Sequence, residues 1–189
     1  MNRYTENLKP KIFFYILSLL LLISFSGCNG CDNGSNPTGP SEGTPYAVQV
    51  VSSDIKCEGI NLYTNPREAL GAPNWGYLPD GSFSGFVSLG PAGYIVLKMG
   101  VDVIDGPGHD IRIYQAVSDE DTAVYVTDDY LSSPFKYLGT QACGVTCNFD
   151  LSGSGYSKIR YVMVKDMTLS DCYETPGPDI DAVEAINYK

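Results

Sequence analysis

The chain has 189 residues, 12 Lys or Arg against 22 Asp or Glu, and one histidine, for a formal net charge of −10. That length leaves room for one sizeable domain. The acidic balance excludes nucleic acid and anionic membrane surfaces as partners held by charge, because both require Lys/Arg clusters. A divalent cation suits such a surface better.

The N-terminus comes first. Met1–Lys11 carries Arg3, Lys9 and Lys11, and the apolar run Ile12–Phe25 ends at Ser26-Gly27-Cys28. The run is too short to span a bilayer comfortably, and the order basic, apolar, small is that of a secretory signal. The small pair before Cys28 resembles the bacterial lipobox, in which the cysteine is lipidated and becomes the mature N-terminus. Phe25 departs from it, standing where an aliphatic residue is usual. The resemblance implies a signal peptide over 1–27, a lipid on Cys28 and a protein held to the membrane through that anchor. Stable holding takes two or more acyl chains. Asn29 is not the aspartate that resembles an inner-membrane retention signal, so the outer membrane or cell surface is the expected address. Without 1–27 the chain keeps 9 basic and 21 acidic side chains, a net charge near −12.

Asn29–Pro45 is nearly all Gly, Ser, Asn, Thr and Pro and buries nothing. With Cys28 it reads as a flexible tether over 28–45, roughly 20–25 Å in coil span. The folded domain is then 46–189. Tyr46–Ser52 alternates as a first strand. Asp54–Gly81 is irregular, with one helical turn at Pro66–Leu70 that Pro66 starts and Gly71 stops. Ser82–Leu89 and Gly93–Met99 flank Gly90-Pro91-Ala92 and read as a hairpin, with Ile95, Leu97 and Met99 inward. Ile111–Val117, Ala123–Thr127, Phe135–Thr140, Asn148–Ser152, Lys158–Val164 and Asp179–Asn187 complete the strands. Short strands with turn signals every few residues and no helix beyond a turn indicate an all-β sandwich or barrel.

Cysteine use fits an oxidising compartment. Cys143 and Cys147 enclose three residues, so a bridge at a hairpin end is the simplest pairing. Cys57 with Cys172 would then tie the loop after the first strand to the loop before the last. Four cysteines allow three connectivities, so other pairings stay open. The spacing of Cys143 and Cys147 does not suit a common zinc knuckle. Cys31 sits in the tether, free or paired between molecules.

Two Gly/Pro turns end in an aspartate and run directly into alternating segments: Asp105–Asp110 before Ile111, and Thr175–Asp179 before Ile180. Asp105, Asp110, Asp179 and Asp181 thus collect at strand starts beside free carbonyls, where a hard cation such as calcium would find oxygen ligands. The competing reading is that each aspartate caps its own turn. Trp75 and Tyr77, in the loop 71–81, offer a stacking platform for a pyranose ring. Alternatively, Trp75 closes the open end of the sandwich with its N–H bonded.

These segments together resemble a known group. LGAPNW, FVSLGPAGYIVLKM, DGPGHDIRIYQA, a YVT strand, an FDL segment and PDIDAVEAI, over about Leu70–Ile186, are similar to bacterial cell-surface and exported domains of the galactose-binding-like, or discoidin-like, jelly-roll type. Gln115 stands where that group usually has Glu, and Pro178 replaces a small residue. The resemblance implies a jelly-roll antiparallel β-sandwich of about eight to nine strands. It also implies a structural calcium between an early loop, Asp54–Tyr63, and a last-strand carboxylate, Glu184. In a regular strand Asp181 and Glu184 point to opposite faces, so only one of them should enter a given site.

For catalysis the signals are poor. No G-x-S-x-G elbow exists, His109 has no evident nucleophile partner, and no carboxylate pair stands out for glycoside hydrolysis. The expected function is non-catalytic: a membrane-anchored lipoprotein whose calcium-stabilised domain binds a glycan or a protein partner. A structural envelope role without a small ligand is the alternative, and a polysaccharide hydrolase the third.

Overall fold

Alternation along Tyr94–Ile104 puts Ile95, Leu97, Met99, Val101 and Val103 on one buried face, as a strand with one side in a core requires. The same pattern recurs in Ile111 and Ile113, in Val124 and Val126, and in Val162 and Val164. In a computed structural model, which describes residues 40–57, 59, 61–116, 120–168, 172 and 177–189, these faces meet as the inner layer of a β-sandwich. The chain divides into units 1–35 and 36–189, and every described residue belongs to the second. The expected signal peptide over 1–27, Cys28 and Cys31 lie outside the described residues. No helix among the described residues is long and apolar enough to cross a membrane.

The strands are β1 Ala47–Asp54, β2 Gly76–Tyr77, β3 Phe83–Ser84, β4 Val87–Ser88, β5 Tyr94–Ile104, β6 Ile111–Gln115, β7 Glu120–Thr127, β8 Lys136–Cys143, β9 Thr146–Phe149, β10 Lys158–Asp166 and β11 Asp179–Ala185. One sheet has the order β1-β5-β10-β7-β8, the other β4-β11-β6-β9, and β2 pairs with β3 apart from both. From β4 onward almost every step along the chain crosses from one sheet to the other. That alternation is the jelly-roll pattern of the expected fold. All pairs are antiparallel.

The expected hairpin of Ser82–Leu89 with Gly93–Met99 does not form. β4 pairs with β11 in the four-stranded sheet, while β5 pairs with β1 and β10 in the other. Gly90–Gly93 is therefore a corner between sheets; the Gly93 N–H donates to the Gly90 carbonyl at 2.8 Å, and a Cβ on Gly93 would lie 2.0 Å from the Leu89 carbonyl oxygen. Periodicity reports which face is buried and says nothing about which strand lies alongside. The same holds for β8 and β9, which belong to different sheets, so the Cys143–Cys147 bridge closes a corner and not a hairpin end. The helical turn is present as Pro66–Ala69, with Asn65 Oδ1 accepting from the Arg67 N–H at 3.2 Å.

Pro40–Pro45, the described end of the segment read as a tether, is fastened to the domain. The Gly43 N–H donates to the Gly100 carbonyl at 2.8 Å and the Pro45 carbonyl accepts from the Ala185 N–H at 2.7 Å. Glu42 pairs with Lys98 at 2.6 Å and with Arg160. Such exposed pairs contribute little, of order 0–1 kcal/mol each, so the backbone bonds do most of the fastening.

Candidate functional site

The long loop between β1 and β4 builds an aromatic cleft. Its small β2–β3 hairpin is closed by the Leu78 N–H to Ser82 carbonyl bond at 2.8 Å, and Asp80 Oδ1 accepts from the Ser82 N–H and hydroxyl at 3.0 and 2.6 Å. Gly85, at φ +83°, lets the chain pass so close to Asn74 and Trp75 that a Cβ would lie 2.8 Å from the Trp75 backbone. Rings then follow one another: Trp75 to Tyr77 at 6.4 Å, Tyr77 to Phe83 at 4.7 Å, Phe83 to Phe86 at 6.5 Å and Phe86 to Tyr63 at 4.4 Å between centroids. Beside Phe83, Phe86 and Tyr63 opens a cleft of about 310 Å³ that also presents Asn65, Glu68, Ser82 and Ser84. Tyr77 is 72% exposed and Leu62 87%. Trp75 is half-buried, neither a sealed plug nor a free platform. Sequence reading found Trp75 and Tyr77 but not Tyr63, Phe83 and Phe86, whose spacing looked like ordinary strand and loop apolar content.

Of the acids proposed to share a cation, Asp105 and Asp110 come together while Asp179, Asp181 and Glu184 lie elsewhere. Asp110 is completely buried: Oδ1 accepts from the Gly106 N–H at 2.9 Å and the Asn187 side-chain amide at 2.8 Å, and Oδ2 from the Leu151 N–H at 2.7 Å. Asp105 and Asp150 approach it, with ligand oxygens of all three within 4.8 Å of one another. Asp150 was not singled out from the sequence; it follows β9, and only the fold brings it beside Asp105. Its carboxyl is held below the ordinary range by the Ser152 hydroxyl and amide. Three carboxylates form a donor set that fits a hard cation, with water or carbonyls supplying the remainder of its 6–8 oxygens. His109, exposed in the same turn, lies close enough to affect Asp150.

Asp179, Asp181 and Glu184 serve other neighbours. A bulge between Ile180 and Ala182 makes Asp181 the extra residue of β11. Buried, it accepts from the Asn74 N–H at 2.9 Å through Oδ1, while Oδ2 has no hydrogen-bond partner among the described residues. Asp181 thereby fixes the start of the aromatic loop. Glu184 faces outward, bonded to Arg112 and Tyr114. Asp179 is bonded to the Ser88 hydroxyl at the far end of β11 from Asp110.

At that end the carboxyls are poorly solvated. Burial pushes Asp179 up to about 6 against a weaker pull from Ser88. Burial also raises Asp166 and Glu120, with Asp166 and Asp179 adding to the effect on Glu120. A raised acid penalises the charged fold, so this destabilisation is complete above pH ~6 and is relieved as pH falls toward the ordinary 3.8. For Asp179 the whole effect is about 3 kcal/mol, and roughly 1.4 kcal/mol of it is recovered between about pH 7.5 and 5. The expected result is a melting midpoint about 3–5 °C higher at pH 5 than at pH 7.5. The gain should shrink in Asp179→Asn; a variant with the same gain as the parent would assign the effect elsewhere.

Both expected disulfides are present, Cys57–Cys172 across 115 residues and Cys143–Cys147 across 4.

No protein-family model matches the chain, and no curated protein matches it. Among solved structures, the chain is similar to chitosan-binding module 1 of a chitosanase/glucanase from Paenibacillus sp. IK-5, at 12% identity and TM-score 0.47, over 78% of this chain and 99% of that one. The C-terminal domain of a chitobiase from Bacteroides fragilis is similar at 12% identity and TM-score 0.42, over 79% and 99%. The CBM32 domain of AlyQ, solved with 4,5-unsaturated mannuronic acid, gives 11% identity and TM-score 0.37, over 72% and 95%. Likenesses at this level set no constraint on function, and the β-sandwich rests on the strand pairing itself.

Proposed function

We propose that this is a non-catalytic glycan-binding domain, carried on a lipid anchor at Cys28 and displayed at the cell envelope. The observation that carries the reading is the chain of five rings from Trp75 to Tyr63 beside an open cleft with hydroxyl, amide and carboxylate groups on its walls. Pyranose rings have apolar C–H faces that pack on aromatic rings and edge hydroxyls that need such polar partners. Ligand sites of this size are largely apolar with a few placed polar groups. A protein partner is the second occupant such a partly exposed aromatic surface, with Tyr77 outermost, admits.

The test is binding of the intact protein to a panel of immobilised polysaccharides. Retention on at least one is expected, falling about tenfold or more in Tyr77→Ala and Phe83→Ala, a loss of 1.4 kcal/mol or more. No retention on any polysaccharide would move the reading to a structural envelope domain.

Calcium belongs to the proposal at Asp105, Asp110 and Asp150, where it would stiffen the turn into β6. Expected is a rise in melting temperature from EDTA to excess calcium, lost in Asp150→Ala. An unchanged melt would make the three aspartates turn caps only.

A further inference from the structure

The outer face of the four-stranded sheet carries a row of polar side chains that the aromatic cleft does not use. Glu184 on β11, Arg112 on β6 and Asn148 on β9 are directly opposite one another in register. Arg112 donates from Nε to Asn148 Oδ1 at 3.0 Å and from Nη1 to Glu184 Oε2 at 3.3 Å and the Tyr114 hydroxyl at 3.4 Å. The Tyr114 hydroxyl donates to Glu184 Oε2 at 2.7 Å, and the guanidinium lies 5.9 Å from the Tyr114 ring centre. Four contacts therefore hold one arginine flat on a rigid sheet.

Arg112 has five N–H groups, and its bonds among the described residues leave both on Nη2 unused. Because Nε donates to Asn148, the facing amide atom is oxygen, so the Asn148 NH2 projects away with two further donors. Glu184 accepts from Arg112 and Tyr114 at Oε2 and is also approached by the Tyr46 hydroxyl, so three partners leave one of its four lone-pair sites for a further donor. The Arg112 side chain is 38% exposed and that of Glu184 20%, so the row reaches solvent.

We infer that this row is a second sugar-binding site, in which vicinal hydroxyls of a neutral pyranose accept from Arg112 Nη2 and Asn148 Nδ2 and donate to Glu184. A hydroxyl is at once donor and acceptor, so adjacent hydroxyls match a donor, donor, acceptor row. A carboxylate or phosphate matches only the donors and meets the charge of Glu184. Tyr46, bridged to Glu184 along the sheet, and Tyr114 supply rings beside it. The inference stands on this row alone and does not require a sugar in the cleft.

The test is a titration of the ¹⁵N-labelled protein with the methyl glycosides of glucose, galactose, mannose, xylose and rhamnose. The signals followed are Arg112 Nε–H and Asn148 Nδ2–H. Saturable shifts are expected with at least one glycoside, unchanged in Phe83→Ala and weakened about tenfold in Asn148→Ala, as for one lost hydrogen bond. Arg112→Lys should weaken binding similarly, since it retains charge and loses the fork. No saturable shift with any glycoside would overturn the inference. So would shifts that vanish in Phe83→Ala, which would make them an echo of the cleft, or a stronger response to acetate, which would make the row an anion site.

Discussion

Asp110→Ala is expected to destabilise the domain by about 4 kcal/mol, among the larger effects a single side chain produces. The carboxylate is fully buried and accepts three hydrogen bonds, from Gly106, Leu151 and Asn187. These join the turn before β6, the chain after β9 and the chain after β11, three segments distant in sequence. Alanine removes the acceptor and leaves two backbone N–H groups and an amide without it, the Leu151 N–H in a buried position. An unmade bond to a charged group costs about 1.5–3 kcal/mol, and three sharing one acceptor do not add fully. Asp110→Asn, which keeps one oxygen, should lose roughly half as much. Urea unfolding with an unchanged slope measures both directly. A loss below about 1 kcal/mol for alanine would mean the turn is held by its backbone alone.

Removal of the Cys57–Cys172 bridge is the second large effect, about 4–5 kcal/mol for a loop this long. The bridge fastens the start of the aromatic loop to the chain before β11, across 115 residues. Opening it enlarges the unfolded ensemble far more than opening Cys143–Cys147, which closes a loop of separation 4. The double variant Cys57→Ala/Cys172→Ala should therefore melt well below Cys143→Ala/Cys147→Ala. Equal midpoints would show that the unfolded chain gains little from the long link.

Several parts of this architecture were readable in the chain. Ile95, Leu97 and Met99 declared a buried face because period two has no other explanation in a soluble strand. Pro66 at the first position and Gly71 after the last declared a helical turn, and loop logic favoured the cysteine pairs that form while leaving other pairings open. What depends on pairing between distant strands was not readable. The Ser82–Met99 hairpin failed because a tight turn also serves a corner between sheets. Asp150 joined Asp105 and Asp110 only through the fold. The Glu184, Arg112 and Asn148 row exists through register across three strands, and the β11 bulge redirects Asp181 without any glycine or proline to mark it. Tyr63, Phe83 and Phe86 were hidden for a related reason: apolar residues in an irregular loop carry no period that says whether they line a cleft or fill a core.

A glycan bound in the cleft would lie along the ring chain that Trp75, the protein's only tryptophan, begins. Tryptophan emission can therefore be followed without ambiguity while a retained polysaccharide's oligosaccharides are added. A saturable change in Trp75 emission that tracks binding and disappears in Phe83→Ala is expected. Binding that saturates while the emission stays constant would contradict this and place the ligand elsewhere on the domain.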